Sequence, residues 1–184
     1  MKLTVSKRTG ETKNKLTQLR RSGNIPAVLY SKGRASEKIS VKGSEFEAVL
    51  RKLPKGYLPT TIFDLEKEGE TCKAVVKEVQ YHPTTYQVLH LDFLVLEPKV
   101  AVEVKVPLQW MGEADCVGVK LGGFIRPVKR HVKVRCLPEN IPSDFKIDIQ
   151  SLEIGQAKRV FDIEPGQTDV LAKPKEILVT IAKK

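Results

Sequence analysis

Hydrophobic and polar residues alternate along much of this 184-residue chain, and the alternation predicts a protein built mainly from β-strands. In the segment VLHLDF, Leu89, Leu91 and Phe93 alternate with other positions, which is the period of a strand with one buried face. Similar patterns predict strands at 3–8, 27–30, 37–43 and 86–97, a hairpin over 60–80, and further strands at 100–106, 131–136, 145–149 and 177–181.

Helical spacing is confined to two short segments. Between residues 11 and 23 only Leu16 and Leu19 share a helical face, so a helix there is short and mostly solvated. A second helix follows, and Ser44 with Glu47 predicts a capping box at its start. Its apolar face comprises Phe46, Val49, Leu50 and Leu53.

Pro98 is the predicted domain boundary, because a new alternating segment begins directly after it and ends at Pro107. The glycine-rich segment 118–124 matches neither phosphate-loop motif and is predicted to be a mobile turn. The sequence therefore predicts a mainly β protein with a few short helices, divided into a first domain over 1–97 and a second β-rich domain over 98–184.

The composition excludes several classes of protein. No apolar run approaches the roughly 20 residues that a membrane-spanning helix needs, and the amino-terminal MKLTVSKRTG has no apolar signal-peptide core. The cysteines, Cys72, Cys116 and Cys136, have neither metal-binding nor disulfide spacing. We therefore expect a cytoplasmic protein that needs no metal, cofactor or membrane.

Positive charge is concentrated in the first third of the chain. Residues 1–55 carry 14 Lys/Arg against four acids, whereas residues 56–184 carry 18 of each sign. This asymmetry favours nucleic acid as the partner. An anionic membrane is disfavoured because the basic segment has no large apolar face to bury in lipid. The densest cations are Lys7, Arg8, Lys13, Lys15, Arg20 and Arg21, and Tyr30 follows them with a ring on which a base can stack.

His90 and Asp92 lie on the exposed face of the predicted VLHLDF strand, where an acid is unexpected in a basic protein. With His82 they suggest a metal site, but His82 lies in a proline-containing loop and no further ligand converges on them. A hydrolase would also need a nucleophile. Side chains at i and i+2 on one strand project in parallel, which favours a shared binding surface.

Five segments in order resemble one protein family over residues 3–182. They are LRRSGNIPAVLYSKG, VQYHPTTYQVLHLDF, GVKLGGF, CLPENIP and FKIDIQSLEIGQ. The first two are similar to the bacterial 5S-rRNA-binding proteins of the large ribosomal subunit, the L-twenty-five family. The last three are similar to the carboxy-terminal domain of its long, two-domain form, called Ctc, a general stress protein.

The resemblance implies a structural component of the 50S subunit's central protuberance, not an enzyme, with no small-molecule substrate. It implies an amino-terminal β-barrel that binds the loop E region of 5S rRNA, and a second domain that contacts other large-subunit rRNA and ribosomal proteins. Residues matching the family's RNA-binding motifs are Arg8, Arg20, Arg21, Tyr30, His90 and Asp92, with Gln80 and His82 in a Q-x-H-P element. Tyr81 departs from the basic residue that many relatives have there.

Two kinds of RNA contact are expected. Phosphates would be neutralised by the cations Arg8, Lys13, Arg20 and Arg21. Lysine and arginine only donate hydrogen bonds, so Asp92 is the predicted acceptor for a base amino group, with His90 donating or holding Asp92 in position. The second domain, with its near-neutral charge, is expected not to depend on phosphate. A stress-related RNA-binding regulator outside the ribosome is the alternative function.

Overall fold

A computed structural model of the protein describes residues 1–8, 12–31, 33, 35–67 and 69–183. The chain divides into two compact units, Met1–Val100 and Ala101–Lys184. Both units are built mostly from strands, which confirms the mainly β fold class. In the part of the chain that the structure describes, no helix is long and apolar enough to cross a membrane.

Six strands of the first unit close into a barrel. They are β1 (Lys2–Lys7), β2 (Asn24–Tyr30), β3 (Glu37–Lys42), β4 (Ile62–Lys67), β5 (Glu70–Tyr81) and β6 (Val88–Val95). Around the barrel they follow the order β1-β3-β2-β6-β5-β4. The β1–β4 and β2–β6 pairs are parallel and the other pairs are antiparallel. Because closure removes unpaired edges, the outside of the barrel is a fixed platform for side chains.

Alternate residues of these strands fill the barrel. Leu91 and Phe93 of β6 are fully buried, as the VLHLDF pattern predicts. The Phe63 ring lies 6.1 Å from that of Phe93 and 6.4 Å from that of Phe46, measured between ring centroids. Aromatic contacts of this kind add to the stabilisation from burial. Because only one face of β6 is buried, the intervening residues lie on the outer face of the barrel.

Two helices belong to this unit. The helix α1 (Lys13–Arg21) has no buried residue, as its two apolar positions predict. The helix α2 (Gly43–Lys52) inserts Phe46 into the barrel core. A single 3-10 turn, Leu58–Thr60, precedes β4. Val49 and Leu50 pack against the same core, so the predicted apolar face anchors α2, whereas α1 lies on the surface.

The predicted capping box of Ser44 with Glu47 is wrong. The helix α2 begins at Gly43, so its N-cap is Lys42, two residues before Ser44, and no side chain caps it. The Gly43 N–H donates to the Gly23 carbonyl oxygen over 2.9 Å. A Cβ atom at position 43 would lie 2.5 Å from that oxygen. A glycine is needed at this close approach, and the approach fixes where the helix starts.

The second unit contains two sheets and one short helix. Its strands are β7 (Val102–Met111), β8 (Gly123–Pro127), β9 (His131–Cys136), β10 (Phe145–Asp148), β11 (Ala157–Arg159), β12 (Asp169–Val170) and β13 (Ile177–Lys183). The helix α3 spans Val117–Lys120, and 3-10 turns span Pro138–Asn140 and Val160–Asp162. One sheet has the order β10-β7-β9-β12 and the other β11-β13-β8. Buried residues such as Val104, Val134 and Leu178 form its core.

Two predictions in this unit are wrong in detail. The strand β7 continues through Pro107, because pairing with β9 ends there and pairing with β10 begins at the next residue. The segment 118–124 is part of α3 and β8 rather than a turn alone. A Cβ at Gly118 would lie 2.8 Å from Ile181, and one at Gly123 would lie 2.7 Å from the Gly118 carbonyl oxygen. Close packing requires these two glycines.

Candidate nucleic-acid interface

The outer side of β2, β6 and β5 brings together polar residues that are distant in sequence. Asp92 of β6 lies opposite Glu78 of β5, and His90 lies opposite Gln80. Tyr30 ends β2, which pairs with β6 on its other side. These five residues form a surface that we call the acceptor face, because carboxylate and amide oxygens dominate it.

A β-bulge in β5 places two of these residues on the acceptor face. The register of β5 against β6 shifts between Val76 and Glu78. Val76 packs in the core, so uninterrupted alternation would turn Glu78 inward. The extra residue, Lys77, moves Glu78 and Gln80 to the outside and returns Val79 to the core. Without the bulge, β5 would contribute no acid to this surface.

His90 and Asp92 contact each other directly. The Nδ1 atom of His90 lies 2.7 Å from Oδ1 of Asp92, and protonation of the imidazole makes the pair a salt bridge. The two side chains are 22% and 30% exposed, while Nδ1 itself is shielded from solvent. The contact lacks hydrogen-bond geometry, since Nδ1 has no hydrogen-bond partner among the residues that the structure describes. Oδ2 of Asp92 and Nε2 of His90 lie outside the contact and are the polar atoms for a ligand to meet.

Arg20 ties the end of α1 to β6. Its Nε and Nη2 atoms donate to the backbone carbonyl oxygen of Leu89 over 3.3 and 3.2 Å. Leu89 immediately precedes His90, so this contact brings a guanidinium next to the acceptor face. The contact uses two of the five guanidinium N–H donors, and the side chain stays exposed. Arg20 therefore combines a structural bond with a charge that a phosphate can approach.

Tyr30 keeps its hydroxyl proton. Partial burial raises the pKa of Tyr30, and the negative charges of Asp92 and Glu78 raise it further. The hydroxyl is therefore a hydrogen-bond donor beside two acids.

His82 organises the loop between β5 and β6. Its Nδ1 atom accepts a hydrogen bond from the Thr85 backbone N–H over 3.3 Å and lies 3.0 Å from Oγ1 of Thr84. Its backbone N–H donates to Gln87 over 2.8 Å, and its carbonyl oxygen accepts from Tyr86 over 3.0 Å. An accepting Nδ1 carries no proton, so the neutral ring carries its proton on Nε2. Turn formation occupies most of the polar groups of His82.

The other predicted cations lie on the segment that connects β1 to β2. Arg8 follows β1, and its backbone N–H donates to the Lys38 carbonyl oxygen over 2.9 Å. Lys13 and Arg21 are the exposed first and last residues of α1. Arg21 stands in the last turn, where a cation complements the negative end of the helix dipole. This segment supplies positive charge around α1, and Arg20 extends it to β6.

Reasoning from the sequence missed Glu78 and Tyr86. The bulge hides Glu78, because alternation alone places it inside. Tyr86 has φ 55°, a left-handed conformation that residues other than glycine rarely adopt, and its side chain is 77% exposed. An exposed aromatic ring in a strained loop next to a polar surface is suited to stacking on a base. The aromatic residues in YHPTTY were the signal for it.

The polar groups of the site are suited to binding a charged ligand. The carboxylates accept hydrogen bonds from amino groups, and the neighbouring cations attract phosphates. Among the residues that the structure describes, no three His, Cys, Asp or Glu side chains converge as a metal site would require. Such a mixture of acceptors and cations matches a polyanion that also displays hydrogen-bond donors, as an unpaired or irregular nucleic acid does.

Known proteins match this chain along its length. The model of the Ribosomal L25p family matches residues 3–93, and the model of the C-terminal domain of ribosomal protein TL5 matches residues 101–184. Relatives named large ribosomal subunit protein bL25 are 40% identical in Chlamydia abortus, 39% in Chlamydia muridarum and 37% in Chlamydia pneumoniae. Each comparison covers 100% of this chain and 100% of the relative.

Proposed function

Because the chain belongs to the Ribosomal L25p family, we propose that its barrel binds 5S rRNA, at the loop E region, in the central protuberance of the bacterial large subunit. The ribosomal role itself follows from the family: the protein is a structural component of the large ribosomal subunit and not an enzyme. The proposal concerns which RNA it binds and which residues bind it.

The observation that carries this proposal is the placement of the His90–Asp92 pair beside Arg20 on one barrel face. Phosphate contacts give affinity and salt dependence but carry no sequence information. Arg8, Lys13, Arg20 and Arg21 supply such contacts. Accepting a hydrogen bond from a base edge needs a carboxylate or amide oxygen, because lysine and arginine only donate, and such oxygens lie on the acceptor face.

Asp92 is the proposed reader of a base amino group. A regular A-form duplex hides most base edges in a deep, narrow groove, whereas an irregular internal loop exposes them. A guanine or cytosine amino group needs an acceptor, and Oδ2 of Asp92 is the carboxylate oxygen that does not contact His90. Gln80, Tyr30 and Nε2 of His90 are proposed as neighbouring donors and acceptors for bases or 2′-hydroxyls.

The second unit is proposed to contact other components of the large subunit. Its match to the TL5 C-terminal domain covers residues 101–184, so it is a separate module from the barrel. Neighbouring large-subunit rRNA and ribosomal proteins are its proposed partners.

The proposal is tested by comparing two RNAs with the full-length protein. One is intact 5S rRNA, and the other is 5S rRNA whose loop E is replaced by a regular duplex of equal length. We expect affinity to fall at least tenfold on the second RNA, and hydroxyl-radical protection to map to loop E on the first. Equal affinity for both RNAs would contradict specific recognition of loop E and leave only electrostatic binding.

A further inference from the structure

A second basic surface lies in the carboxy-terminal unit, where net charge conceals it. Residues 126–135 include five Lys/Arg and no acid. Residues 98–184 as a whole carry 15 Lys/Arg against 11 acids, so averaging over them hides the cluster. Local charge density, not the net charge of a domain, sets the field that a ligand meets. The near-neutral net charge of this unit therefore does not describe the charge of this surface.

Two consecutive outward rungs of the β7–β9 ladder differ in their charges. Glu103 lies opposite Arg135, and their side chains form a salt bridge of 2.7 Å. Two residues further along the same face, Lys105 lies opposite Lys133. Like charges directly opposite each other destabilise a sheet, because the Cβ atoms are only about 5 Å apart. Neither lysine has an ion pair with any residue in the described part of the chain.

Lys133 lines an open groove of about 550 Å³, and Lys105 lies opposite it on the neighbouring strand β7. Its lining includes Lys129, Arg130, His131, Lys133, Leu171 and Glu176. Glu176 already forms an ion pair with Lys129. Partial burial lowers the pKa of His131, and the positive charges of Lys105, Lys129 and Lys133 lower it further. His131 is therefore a neutral hydrogen-bond donor set among cations.

We propose that this surface, which we call the Lys105–Lys133 groove, binds the sugar-phosphate backbone of RNA. A phosphate between the two ammonium groups replaces their repulsion by two attractions. His131 and Lys133 are two residues apart on one strand, about 6–7 Å, which is close to the distance between neighbouring phosphates of one RNA strand. An acidic protein surface would also meet the charge, but the phosphate spacing and the ribosomal family favour RNA. The inference rests on the proposed second-unit contact with rRNA.

Paired charge-removing variants of the full-length protein test the groove. Lys105→Gln with Lys133→Gln removes the opposed charges, and Lys146→Gln with Lys158→Gln removes the same charge from β10 and β11, outside the groove. Binding is measured to 23S rRNA freed of proteins and of 5S rRNA, and separately to 5S rRNA, across a range of salt concentrations.

We expect the groove variant to bind 23S rRNA at least tenfold more weakly, with a slope of log affinity against log salt smaller by about two units. The control variant stays within about threefold of the wild type, and 5S rRNA binding changes in neither. Trp110, the one tryptophan of the chain, reports the folding of this unit. If the unfolding midpoint reported by Trp110 shifts in the double variant, the single variant Lys133→Gln is used instead. The salt slope of 23S rRNA binding should then change by half as much.

Two outcomes would overturn the inference. Equal losses in the groove and control variants would mean that the groove is ordinary surface charge. Unchanged 23S rRNA binding, together with poor incorporation of the groove variant into large subunits depleted of the protein, would show that an acidic protein occupies the groove. Failure of the 5S rRNA proposal is read separately, from the wild type's lack of preference for loop E.

Discussion

The acceptor face and the Lys105–Lys133 groove are both outer surfaces of sheets, yet they present opposite chemistry. The acceptor face sets Asp92 and Glu78 beside a histidine, with a cation at its border. The groove sets cation against cation. Cations attract any polyanion, whereas an acid within a basic surface repels every RNA that does not offer it a hydrogen bond. Under the proposed function, Asp92 and Glu78 therefore add discrimination between RNAs that cations alone would not give.

The two surfaces also differ in how they are held before a ligand arrives. In the barrel, the hydrogen bonds to Leu89 hold the Arg20 side chain, and Asp92 is in close contact with His90. In the groove, neither Lys105 nor Lys133 forms an ion pair with another residue that the structure describes. Preorganised groups discriminate between ligands because they cannot adjust. Flexible lysines contribute affinity with little discrimination.

The largest effect is expected from a substitution in the barrel core, on which the acceptor face rests. Phe63→Ala deletes a ring that is 0% exposed and contacts two other phenylalanines. We expect it to lower the free energy of barrel unfolding by about 3–5 kcal/mol, measured in urea from the NMR signals of barrel amides. Phe161→Ala is the control, because Phe161 is 65% exposed in the other unit. A loss below about 1 kcal/mol would mean that the aromatic cluster does not hold the barrel.

A smaller effect is expected at Arg20, which has two roles: it is a cation for RNA phosphates and it donates hydrogen bonds to Leu89. Arg20→Ala and Arg21→Ala each remove one cation from the last turn of α1, so each should reduce the salt slope of 5S rRNA binding by about one unit. Arg20→Ala also removes the hydrogen bonds to Leu89, so its affinity loss should be larger, about tenfold against about threefold. Equal losses would show that the bond to Leu89 does not position the face.

Glu45, an acid outside the acceptor face, is expected to make the stability of the barrel depend on pH. The Thr4 backbone N–H donates to Glu45 over 2.8 Å and, as the largest cause, lowers the pKa of that carboxyl. A lowered pKa contributes stability above the ordinary glutamate pKa of about 4.3, and this stability is lost as the pH falls through the folded-state pKa.

Glu45→Gln should therefore lower barrel stability by about 1 kcal/mol at pH 7, a value reduced for its partial exposure. The difference from the wild type should narrow towards zero at low pH, where the wild-type carboxyl is also neutral. Urea unfolding at both pH values measures it, with the exposed Glu47→Gln as control. A constant difference at all pH values would exclude the charge of Glu45 as the cause.

The smallest effect concerns backbone strain beside the acceptor face. Tyr86→Asn replaces a residue at φ 55° by one that tolerates the left-handed region. We expect the barrel to gain about 0.5–1 kcal/mol, measured in the same urea experiment. Tyr81→Asn, with the side chain 46% exposed in β5, is the control and should give no gain. A loss of stability in Tyr86→Asn would show that the Tyr86 ring makes a stabilising contact.

Alternation in the sequence predicted the parts of the fold where one face is buried without interruption. Leu91 and Phe93 are such positions, and their burial places His90 and Asp92 outside. The same logic fails at β5, because the bulge after Val76 shifts the phase and no local pattern marks it. Alternation predicts which side of the sheet a side chain lies on only while the strand register is regular.

Contacts between distant segments were beyond the sequence. The Arg20–Leu89 bond spans 69 residues, and the Lys105–Lys133 rung exists only because β7 and β9 pair in one particular register. The capping box failed for a similar reason, since the close approach of Gly43 to Gly23 decides where α2 starts. Residue types identified the candidates for RNA binding, but only register shows which of them face one another.

The salt dependence of 5S rRNA binding by Asp92→Ala tests the central claim most directly, with Glu70→Ala as an exposed acid of the same barrel for control. We expect Asp92→Ala to weaken binding by about 1–3 kcal/mol at every salt concentration, giving a line parallel to that of the wild type. Its affinity for RNA without loop E should not fall. Unchanged or increased affinity for intact 5S rRNA would show that Asp92 only repels phosphate, and the acceptor face would not recognise RNA.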